Sequence, residues 1–489
     1  MSSPTAITAF PARTTGEPIS QRRASTPMRA AVILVPFGLT ALLNAYCPSD
    51  FEPSLRLAAS LTFLACWIPF VTHFFTRGSS LPLLPVLCLI YGVYFSGVIF
   101  LEDSFIVPGV NYTVPYSLLL QCESLVLAGV LCLMAGYYGT PVRIIGVLPR
   151  LRFPLDRQTG TRLGVILSFG GIVVYQLGAL LPLRFQSIVT LTYQLSSFGI
   201  ALLFYYQLQA SLSQKMQIVL WGFLLPLRML FAVAGGGVGS LVQDLLILLG
   251  TYWLARRKWP WRSTLVLALV VVPISGVKAE FRRAAWGSDL STLARGQMFA
   301  ALISDGFQSN EHFFRNCLQI TLVRVDQLTT FCAVANLTPD VIPYWEGDSY
   351  STIYWALIPR ALYPDKPVKV IGQTFGHRYG LLGKNDRTTS YNLPQIVEMY
   401  ANFGPWGVVA GMLLMGVLLR ALHFVFSHPD IGEAGSLIAL VTFARLCNIE
   451  SDFSLIYGGI ILNLVGLVVV LRILQARRVH MPLDAFRFR

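Results

Sequence analysis

Long apolar stretches recur along almost the whole chain, and their length is the first property that constrains the fold. A bilayer core about 30 Å thick needs about 20 apolar residues in each crossing helix. Twelve segments meet this requirement and predict an all-α polytopic membrane protein with about twelve transmembrane helices. The segments are 30–46, 57–75, 81–101, 115–138, 162–183, 187–208, 217–234, 238–254, 263–278, 405–427, 435–449 and 453–474.

The composition agrees with a membrane protein. Of the 489 residues, 54% are hydrophobic and 12% are charged, whereas a soluble domain carries about 25% charged residues. The net charge of +13 would suit a nucleic-acid-binding protein, but the mean hydropathy of +0.61 leaves too little polar surface for that class. We therefore expect no nucleic-acid partner, and an ordinary cytosolic enzyme is excluded.

The N-terminus and the cysteines predict no further structure. The first 29 residues are polar and lack an apolar core, so a cytoplasmic tail is expected in place of a cleavable signal peptide. The eight cysteines form no Cys-x-x-Cys motif and no Cys/His cluster, which argues against a zinc site or a disulfide framework. Cys317 and Cys332 lie on one predicted helix, about 22 Å apart along its axis. We expect free thiols at both positions, because a disulfide needs a much shorter distance.

Basic residues in the short connections predict the orientation. Counted from a cytoplasmic N-terminus, one side carries 21 Lys and Arg residues, whereas the short loops on the other side carry only Arg56 and Arg184. Both termini are therefore expected in the cytoplasm. The resulting division comprises a polar tail 1–29, helices one to nine in 30–278, a periplasmic loop 279–404, helices ten to twelve in 405–474, and a basic tail 475–489.

The loop 279–404 is too long for a simple connection and contains the candidate chemistry. Ser309 is the predicted N-cap of a helix that continues to Thr338, and a structured irregular loop is predicted from Pro343 onwards. Residues 344–404 mix aromatic side chains with Arg, Lys and His, a combination that suits a negatively charged ligand with flat faces. The alternative is an interfacial belt, in which aromatic residues lie at headgroup depth and basic residues contact lipid phosphate.

Three strings in this loop favour a ligand site. They are IPRALYPDKP at 358–367, FGHRY at 375–379 and EMYANFG at 398–404. In this order, and with many spans before one late loop, the chain resembles the Wzy-type bacterial O-antigen polymerases over roughly residues 275–410. The resemblance implies a GT-C-like glycosyltransferase of the bacterial inner membrane. Such an enzyme joins undecaprenyl-diphosphate-linked oligosaccharide repeat units at the periplasmic face, without a nucleotide sugar.

The reaction that the resemblance implies needs cations for the departing diphosphate, a proton acceptor for the sugar hydroxyl, and surfaces that position the sugars. The candidate diphosphate ligands are Arg360, Arg378, Lys366, Arg282, Arg283, Arg324 and Arg445. Glu398 is the first candidate for the base, followed by His377 and Asp326. The candidates for stacking on sugar rings are Tyr354, Trp355, Tyr363 and Tyr379.

The same reaction class sets the expected cofactors and partners. The loop contains no well-spaced metal-ligand cluster, so we expect no metal and no other cofactor. The expected partners are lipid-linked oligosaccharides and membrane lipids, with a chain-length-regulating membrane protein as a further option.

Arg228 and Asp244 are ionisable residues within apolar segments, where a charge needs a partner. They lie on consecutive predicted helices and at equal distances from the centre of the turn 235–237. An antiparallel hairpin therefore places them at the same depth, and a structural ion pair is expected. Arg445 lies near the outer end of the eleventh segment, at the depth of a lipid diphosphate.

Three other functions stay open at this point. A polysaccharide ligase would have a similar fold. A lipid-phosphate-sugar transferase would use an acidic pair on its first outer loop, where Asp50 and Glu52 are available. A glycolipid transporter or flippase would carry its substrate through the bundle and would need basic residues in a mid-membrane cavity.

Overall fold

The fold is all-α apart from one short β-ribbon. The computed structural model describes residues 26–47, 52–76, 81–101, 105–107, 112–153, 155–182, 186–234, 238–285, 290–309, 311–358, 363, 370–387, 389–428 and 430–476. The predicted residues Arg360, Lys366 and Asp50 lie outside these ranges. So do most of the predicted N-terminal tail and the C-terminal tail from residue 477.

The described residues form nineteen α-helices. They are α1 Thr26–Tyr46, α2 Pro53–Thr76, α3 Leu83–Tyr91, α4 Tyr116–Gly139, α5 Val142–Ile145, α6 Arg157–Leu177, α7 Gln186–Leu208, α8 Gln214–Val219, α9 Leu225–Ala234, α10 Val238–Arg256, α11 Trp261–Ala285, α12 Thr292–Ser309, α13 Phe313–Val325, α14 Leu328–Leu337, α15 Thr352–Leu357, α16 Ile371–Arg378, α17 Gln395–Val425, α18 Gly432–Leu446 and α19 Phe453–Ala476. Shorter elements are the π-helical segments Gly92–Ser96 and Leu220–Leu224, the 3-10 segments Gly97–Phe100, Gly178–Leu180 and Asp348–Ser351, and the antiparallel strands β1 Ile106–Val107 and β2 Tyr112–Thr113.

Each of the twelve predicted segments coincides with helix in the structure. Within the described ranges, eight helices are long and apolar enough to cross a membrane. They are Arg29–Tyr46, Pro53–Thr76, Leu83–Phe100, Tyr116–Gly139, Arg157–Leu177, Gln214–Ala234, Trp261–Ala285 and Gln395–Val425. The other four predicted spans correspond to α7, α10, α18 and α19. An all-α protein with eight candidate membrane helices is therefore established, whereas twelve spans and a GT-C architecture stay predictions.

Small residues allow the central helices to approach closely. α4 and α17 meet where Gly136 faces the carbonyl oxygen of Leu413 and Gly416 faces the carbonyl oxygen of Leu133. A Cβ atom at either glycine would overlap the facing backbone. Helices in a membrane gain most of their association energy from such close packing, because lipid provides little hydrophobic drive between them. α6 and α7 form a second extensive helix pair.

The loop region contains more helices than predicted. Ser309 does not cap a new helix; it ends α12, and its hydroxyl donates to the Asp305 carbonyl oxygen at 2.5 Å. The single helix predicted from Ser309 to Thr338 is instead divided into α13 and α14. The division occurs because the Asp326 carboxylate accepts from the Thr329 N–H at 3.0 Å, which is the bond that begins a new helix. α14 is largely buried and packs against α4 and α17.

The NFGP string divides α17 at a kink. Phe403 and Gly404 have non-helical dihedral angles, and Gly404 adopts φ 65° and ψ −153°, a region that is essentially restricted to glycine. Pro405 has no N–H, so the Ala401 carbonyl lacks its usual donor within the helix. The Trp345 N–H donates to that carbonyl at 3.0 Å. The kink therefore attaches the loop residue Trp345 to α17.

Two predictions from local spacing are confirmed. Arg228 and Asp244 form an ion pair, with 2.6 Å between Nε and Oδ2. Cys317 and Cys332 are both free thiols, and both are buried.

Candidate functional site

A buried polar joint connects the loop to two helices, with Glu398 at its centre. Glu398 is 0% exposed. Its Oε1 accepts from the Ser349 hydroxyl at 2.6 Å, and its Oε2 accepts from the Phe453 N–H at 2.7 Å. Asn402, one turn further along α17, donates from Nδ2 to Ser349 Oγ at 2.9 Å. It also accepts from the Gly347 N–H at 2.8 Å. These four residues and Gly347 are called the joint below.

This geometry indicates that Glu398 positions the loop segment that contains Ser349 relative to α17 and α19. The Phe453 N–H is the first donor of α19, and the N-terminus of a helix favours a nearby negative charge. Ser349 belongs to the 3-10 segment of the loop, so the carboxylate attaches that segment to α17 and α19 together. A general base must reach the proton that it accepts, whereas both carboxylate oxygens of Glu398 are engaged and buried here. The base role of Glu398 stays a prediction that the geometry does not favour.

Three basic residues meet at the loop end of the bundle and are called the cation group: Lys278, Arg282 and Arg324. Lys278 and Arg282 are one turn apart on α11, and Arg324 lies in the last turn of α13, which packs against α11. Arg324 acts electrostatically on both Lys278 and Arg282. Lys278 is buried and Arg324 is exposed, so the group extends from the interior to the surface.

Glu450 is the carboxylate associated with this group in the described part of the chain. It acts electrostatically on Lys278 and Tyr94, and accepts from Asn392 Nδ2 at 2.7 Å. Electrostatic interactions thus connect Lys278 with Arg282, Arg324 and Glu450. Basic side chains grouped in this way suit an anionic ligand. Sequence reasoning missed Lys278, although its spacing of four from Arg282 places both on one helix face.

Two other predicted cations lie apart from this group. Arg283 is exposed on α11, and the structure describes no interaction between it and the cation group. Arg378 donates from Nη2 to the Pro343 carbonyl oxygen at 2.6 Å, and its guanidinium lies 5.0 Å from the centre of the Trp345 ring. Arg378 therefore stabilises the fold of the loop.

Asp326 and His377 are the remaining predicted proton acceptors. Asp326 lies between α13 and α14, and its Oδ1 accepts from the Thr329 N–H at 3.0 Å. Burial raises the pKa of Asp326 to about 6, and a catalytic pKa near the working pH is favourable for a general base. His377 Nε2 donates to the Asp386 carbonyl oxygen at 2.8 Å, so Nδ1 is the nitrogen of this ring that could accept a proton.

The four predicted aromatic residues have different environments. Tyr354 is 72% exposed. Trp355 and Tyr363 stack on each other, with ring centres 5.8 Å apart and planes at 20°. Tyr379 is only 2% exposed, and its hydroxyl is 2.8 Å from Thr338 Oγ1. A buried ring presents no face to a sugar, so Tyr379 belongs to the core of the loop and is excluded from the candidate site.

A cavity of about 310 Å³, lined mostly by apolar surface with several polar side chains, lies between α7, α9, α10, α18 and α19 and is called the bundle cavity. Its charged lining residues are Arg228, Asp244 and Arg445. Arg228 is fully engaged, because it pairs with Asp244 and also donates from Nη2 to Ser197 Oγ at 2.7 Å. The neutral polar lining includes Gln194, Ser240, Gln243, Asn448, Ser451 and Asn463.

The short connection between α18 and α19 borders all three sites. Glu450 belongs to the surroundings of the cation group, and Asn448 and Ser451 line the bundle cavity. Phe453, the first residue of α19, donates its N–H to Glu398. Residues 447–453 therefore link the joint, the cation group and the cavity in one continuous stretch of backbone.

Metal-ligand side chains are not clustered in the part of the chain that the structure describes. No group of three His, Cys, Asp or Glu residues there could hold a metal ion. Whether activity needs a metal is a question for the chelator experiment given below.

Comparison with known families adds one finding. A family model described as "Domain of unknown function (DUF8712)" matches residues 123–479. The chain belongs to the DUF8712 family. The matched region of this DUF8712 protein contains the joint, the cation group and the bundle cavity, whereas Tyr94 precedes it. No curated protein and no solved structure matches the chain.

Proposed function

We propose that this DUF8712 protein is a membrane glycosyltransferase that joins undecaprenyl-diphosphate-linked oligosaccharide repeat units. The observation that supports the proposal is the cation group at the loop end of the bundle. Lys278 and Arg282 on α11 and Arg324 in the last turn of α13 interact electrostatically there, and Glu450 acts on Lys278. A lipid diphosphate lies at such a depth, where the chain passes from apolar helices to a polar surface.

The cation group would stabilise the leaving group. When a sugar hydroxyl attacks the anomeric carbon of the donor, the bond to the diphosphate breaks and negative charge develops on its oxygens. Fixed cations aimed at developing charge lower the barrier without reorganising during the reaction. Arg282 and Arg324 can each present two parallel N–H donors to phosphate oxygens. Lys278 adds a buried charge beneath them.

Asp326 is the proposed proton acceptor in place of Glu398. It follows Arg324 by two positions in the chain, and burial raises its pKa to about 6, so it is largely ionised at neutral pH but still basic enough to accept a proton. Glu398 is proposed as a positioning residue that holds the 3-10 segment and α19. Tyr354 and the Trp355–Tyr363 stack supply aromatic faces for the sugars.

The proposed orientation is that of a multi-pass inner-membrane protein with twelve spans and both termini in the cytoplasm. The excess of Lys and Arg on one side of the short connections supports it. The loop end of the bundle then faces the periplasm, where lipid-linked repeat units are presented.

Incubation of the purified protein with lipid-diphosphate-linked repeat units tests the proposal. A ladder of polymer lengths is expected from the wild type. Arg324→Gln and Arg282→Gln are each expected to slow ladder formation by about 10²-fold or more, the range seen when one electrostatic donor to a transition state is removed. Arg283→Gln is the matched control, because Arg283 is adjacent on α11 but exposed and apart from the group. Its rate should match the wild type.

Two outcomes of this assay would overturn the proposed function. Undiminished ladders from both Arg282→Gln and Arg324→Gln would remove the cation group from the mechanism. Transfer of preformed glycan to a different lipid acceptor, without a ladder, would identify a ligase.

The bundle cavity favours one second candidate, a glycolipid transporter. A transporter needs a polar site within the bundle, and the cavity with Arg445 and several amide side chains has this character. The cellular phenotype separates the two functions. Cells that lack a polymerase accumulate lipid-linked single repeats on the outer face of the membrane, whereas cells that lack a flippase accumulate them on the inner face.

A further inference from the structure

The bundle cavity contains a positive charge that the fold does not neutralise. Arg228 and Asp244 cancel each other as an ion pair. Arg445 is the third charged residue of the lining. Within the described residues it forms no ion pair, and its Nε is buried without a hydrogen-bond partner. A cation inside a helix bundle is costly unless an anion or polar partners accompany it.

Gly459 holds the guanidinium of Arg445 at the cavity. A Cβ atom at this position of α19 would lie 3.0 Å from Arg445 Cζ and would overlap Nη2, so the guanidinium occupies the space that the glycine leaves. The side chain therefore packs against the backbone of α19. This packing directs the charge into the space between α18 and α19.

The neutral lining specifies the rest of the ligand. Gln194, Gln243, Asn448 and Asn463 provide amide groups, which both donate and accept hydrogen bonds, and Ser240 and Ser451 provide hydroxyls. These groups can bind the hydroxyl groups of a sugar, while the apolar side chains that make up most of the lining surface can contact its ring and the lipid. The volume of about 310 Å³ is at the lower end of small-molecule sites, which begin at about 300 Å³, and is of the order needed for one sugar with its phosphate.

We infer that the bundle cavity binds the phosphate and first sugar of a lipid-linked glycan, with Arg445 as the phosphate ligand. The inference rests on the proposed lipid-linked substrate class, and it adds a binding site separate from the cation group. Asn448 and Ser451 of the cavity and Glu450 beside the cation group belong to one short connection. A headgroup in the cavity is therefore adjacent to the proposed site of reaction.

Binding to the purified full-length protein in detergent tests the inference, with native mass spectrometry as the readout. The probe is decaprenyl monophosphate that carries one hexose. Decaprenyl hexoside without phosphate is the comparison, and inorganic phosphate is the competitor. Arg445→Gln is expected to weaken binding of the phosphorylated probe by about 10- to 100-fold, the effect of losing a charge-assisted hydrogen-bond pair. The phosphate-free hexoside should be insensitive to the substitution.

Gly459→Ala provides a second perturbation that leaves the charge in place. The added methyl group displaces the guanidinium, so binding should also weaken, by about tenfold or more. The matched control is Arg420→Gln. Arg420 lies near the C-terminal end of α17, 5.4 Å from the Tyr137 ring, and does not line the cavity. The affinity of this variant for the phosphorylated probe should equal that of the wild type.

Each result has a defined meaning. Wild-type affinity in both Arg445→Gln and Gly459→Ala would overturn the inference. Complete displacement of the probe by inorganic phosphate at equal concentration would identify a free-phosphate site and would overturn the lipid source. If the protein makes no polymer ladder but probe binding still depends on Arg445, the proposed function fails and the binding site stands. If ladder formation depends on Arg324 but probe binding does not depend on Arg445, the proposed function stands and the binding site fails.

Discussion

Replacing Glu398 with Gln separates a positioning residue from a catalytic base. The substitution keeps the shape of the side chain and replaces one carboxyl oxygen with an NH2 group. In the wild type, two donors point at two carboxylate oxygens, the Ser349 hydroxyl at 2.6 Å and the Phe453 N–H at 2.7 Å. An amide has one oxygen and therefore accepts from only one of these donors.

The substitution lowers stability because the second donor loses its acceptor. If the amide oxygen faces the Phe453 N–H, the amide nitrogen faces Ser349 Oγ, which already accepts from Asn402 Nδ2. The Ser349 hydroxyl then loses its acceptor in a site that is closed to water. Leaving a buried donor unsatisfied costs about 1–3 kcal/mol. We expect destabilisation of this size.

The assay combines thermal unfolding in detergent with the polymer-ladder rate. A positioning role predicts a lower Tm, with activity reduced in proportion to the loss of folded protein. A base role predicts an unchanged Tm and a turnover lower by about 10²- to 10⁴-fold. The control is Glu311→Gln, because Glu311 is an exposed carboxylate between α12 and α13, and its Tm should not change.

A double-mutant cycle with Ser349→Ala gives a stricter test of the joint. Because Ser349 and Glu398 share a hydrogen bond, their substitutions should be non-additive by about 0.5–3 kcal/mol. Additive effects, or a wild-type Tm and ladder for Glu398→Gln, would refute the reasoning. A Gln side chain would then be equivalent to a protonated Glu398.

Three further predictions concern topology, metal and pH. Reporter fusions at residues 150 and 260 should indicate the cytoplasm and one at residue 340 the periplasm; a cytoplasmic signal at 340 would contradict the proposed reaction site. Polymerisation should persist in a chelator, and loss that magnesium or manganese reverses would favour Asp50 and Glu52 instead. Burial raises the pKa of Asp326 from 3.8 to about 6, so its stabilising contribution is present below about pH 4 and is lost as the pH rises through 6. Relative to Asp326→Asn, the wild type should lose up to about 3 kcal/mol across this interval, and parallel unfolding curves from pH 4 to 7 would disprove it.

The sequence by itself determined the helices and one ion pair. Apolar length and helical spacing are local properties, so the twelve helical segments follow from short windows of residues. The pairing of Arg228 with Asp244 also follows, because a tight turn between antiparallel helices sets the depth of both residues. The break at Asp326 had a local signal as well, since Asp is a preferred N-cap.

Only the tertiary structure decided which side chains meet. Lys278, Arg324 and Glu450 are far apart in sequence; α13 packs on α11, and both Arg324 and Glu450 act electrostatically on Lys278. The kink after Asn402 brings Glu398 to Ser349 and Phe453. Arg445 faces a cavity because Gly459 leaves room for its guanidinium. Such contacts depend on helix crossing angles and on single small residues at the crossings. The pattern within one segment of the chain does not predict them.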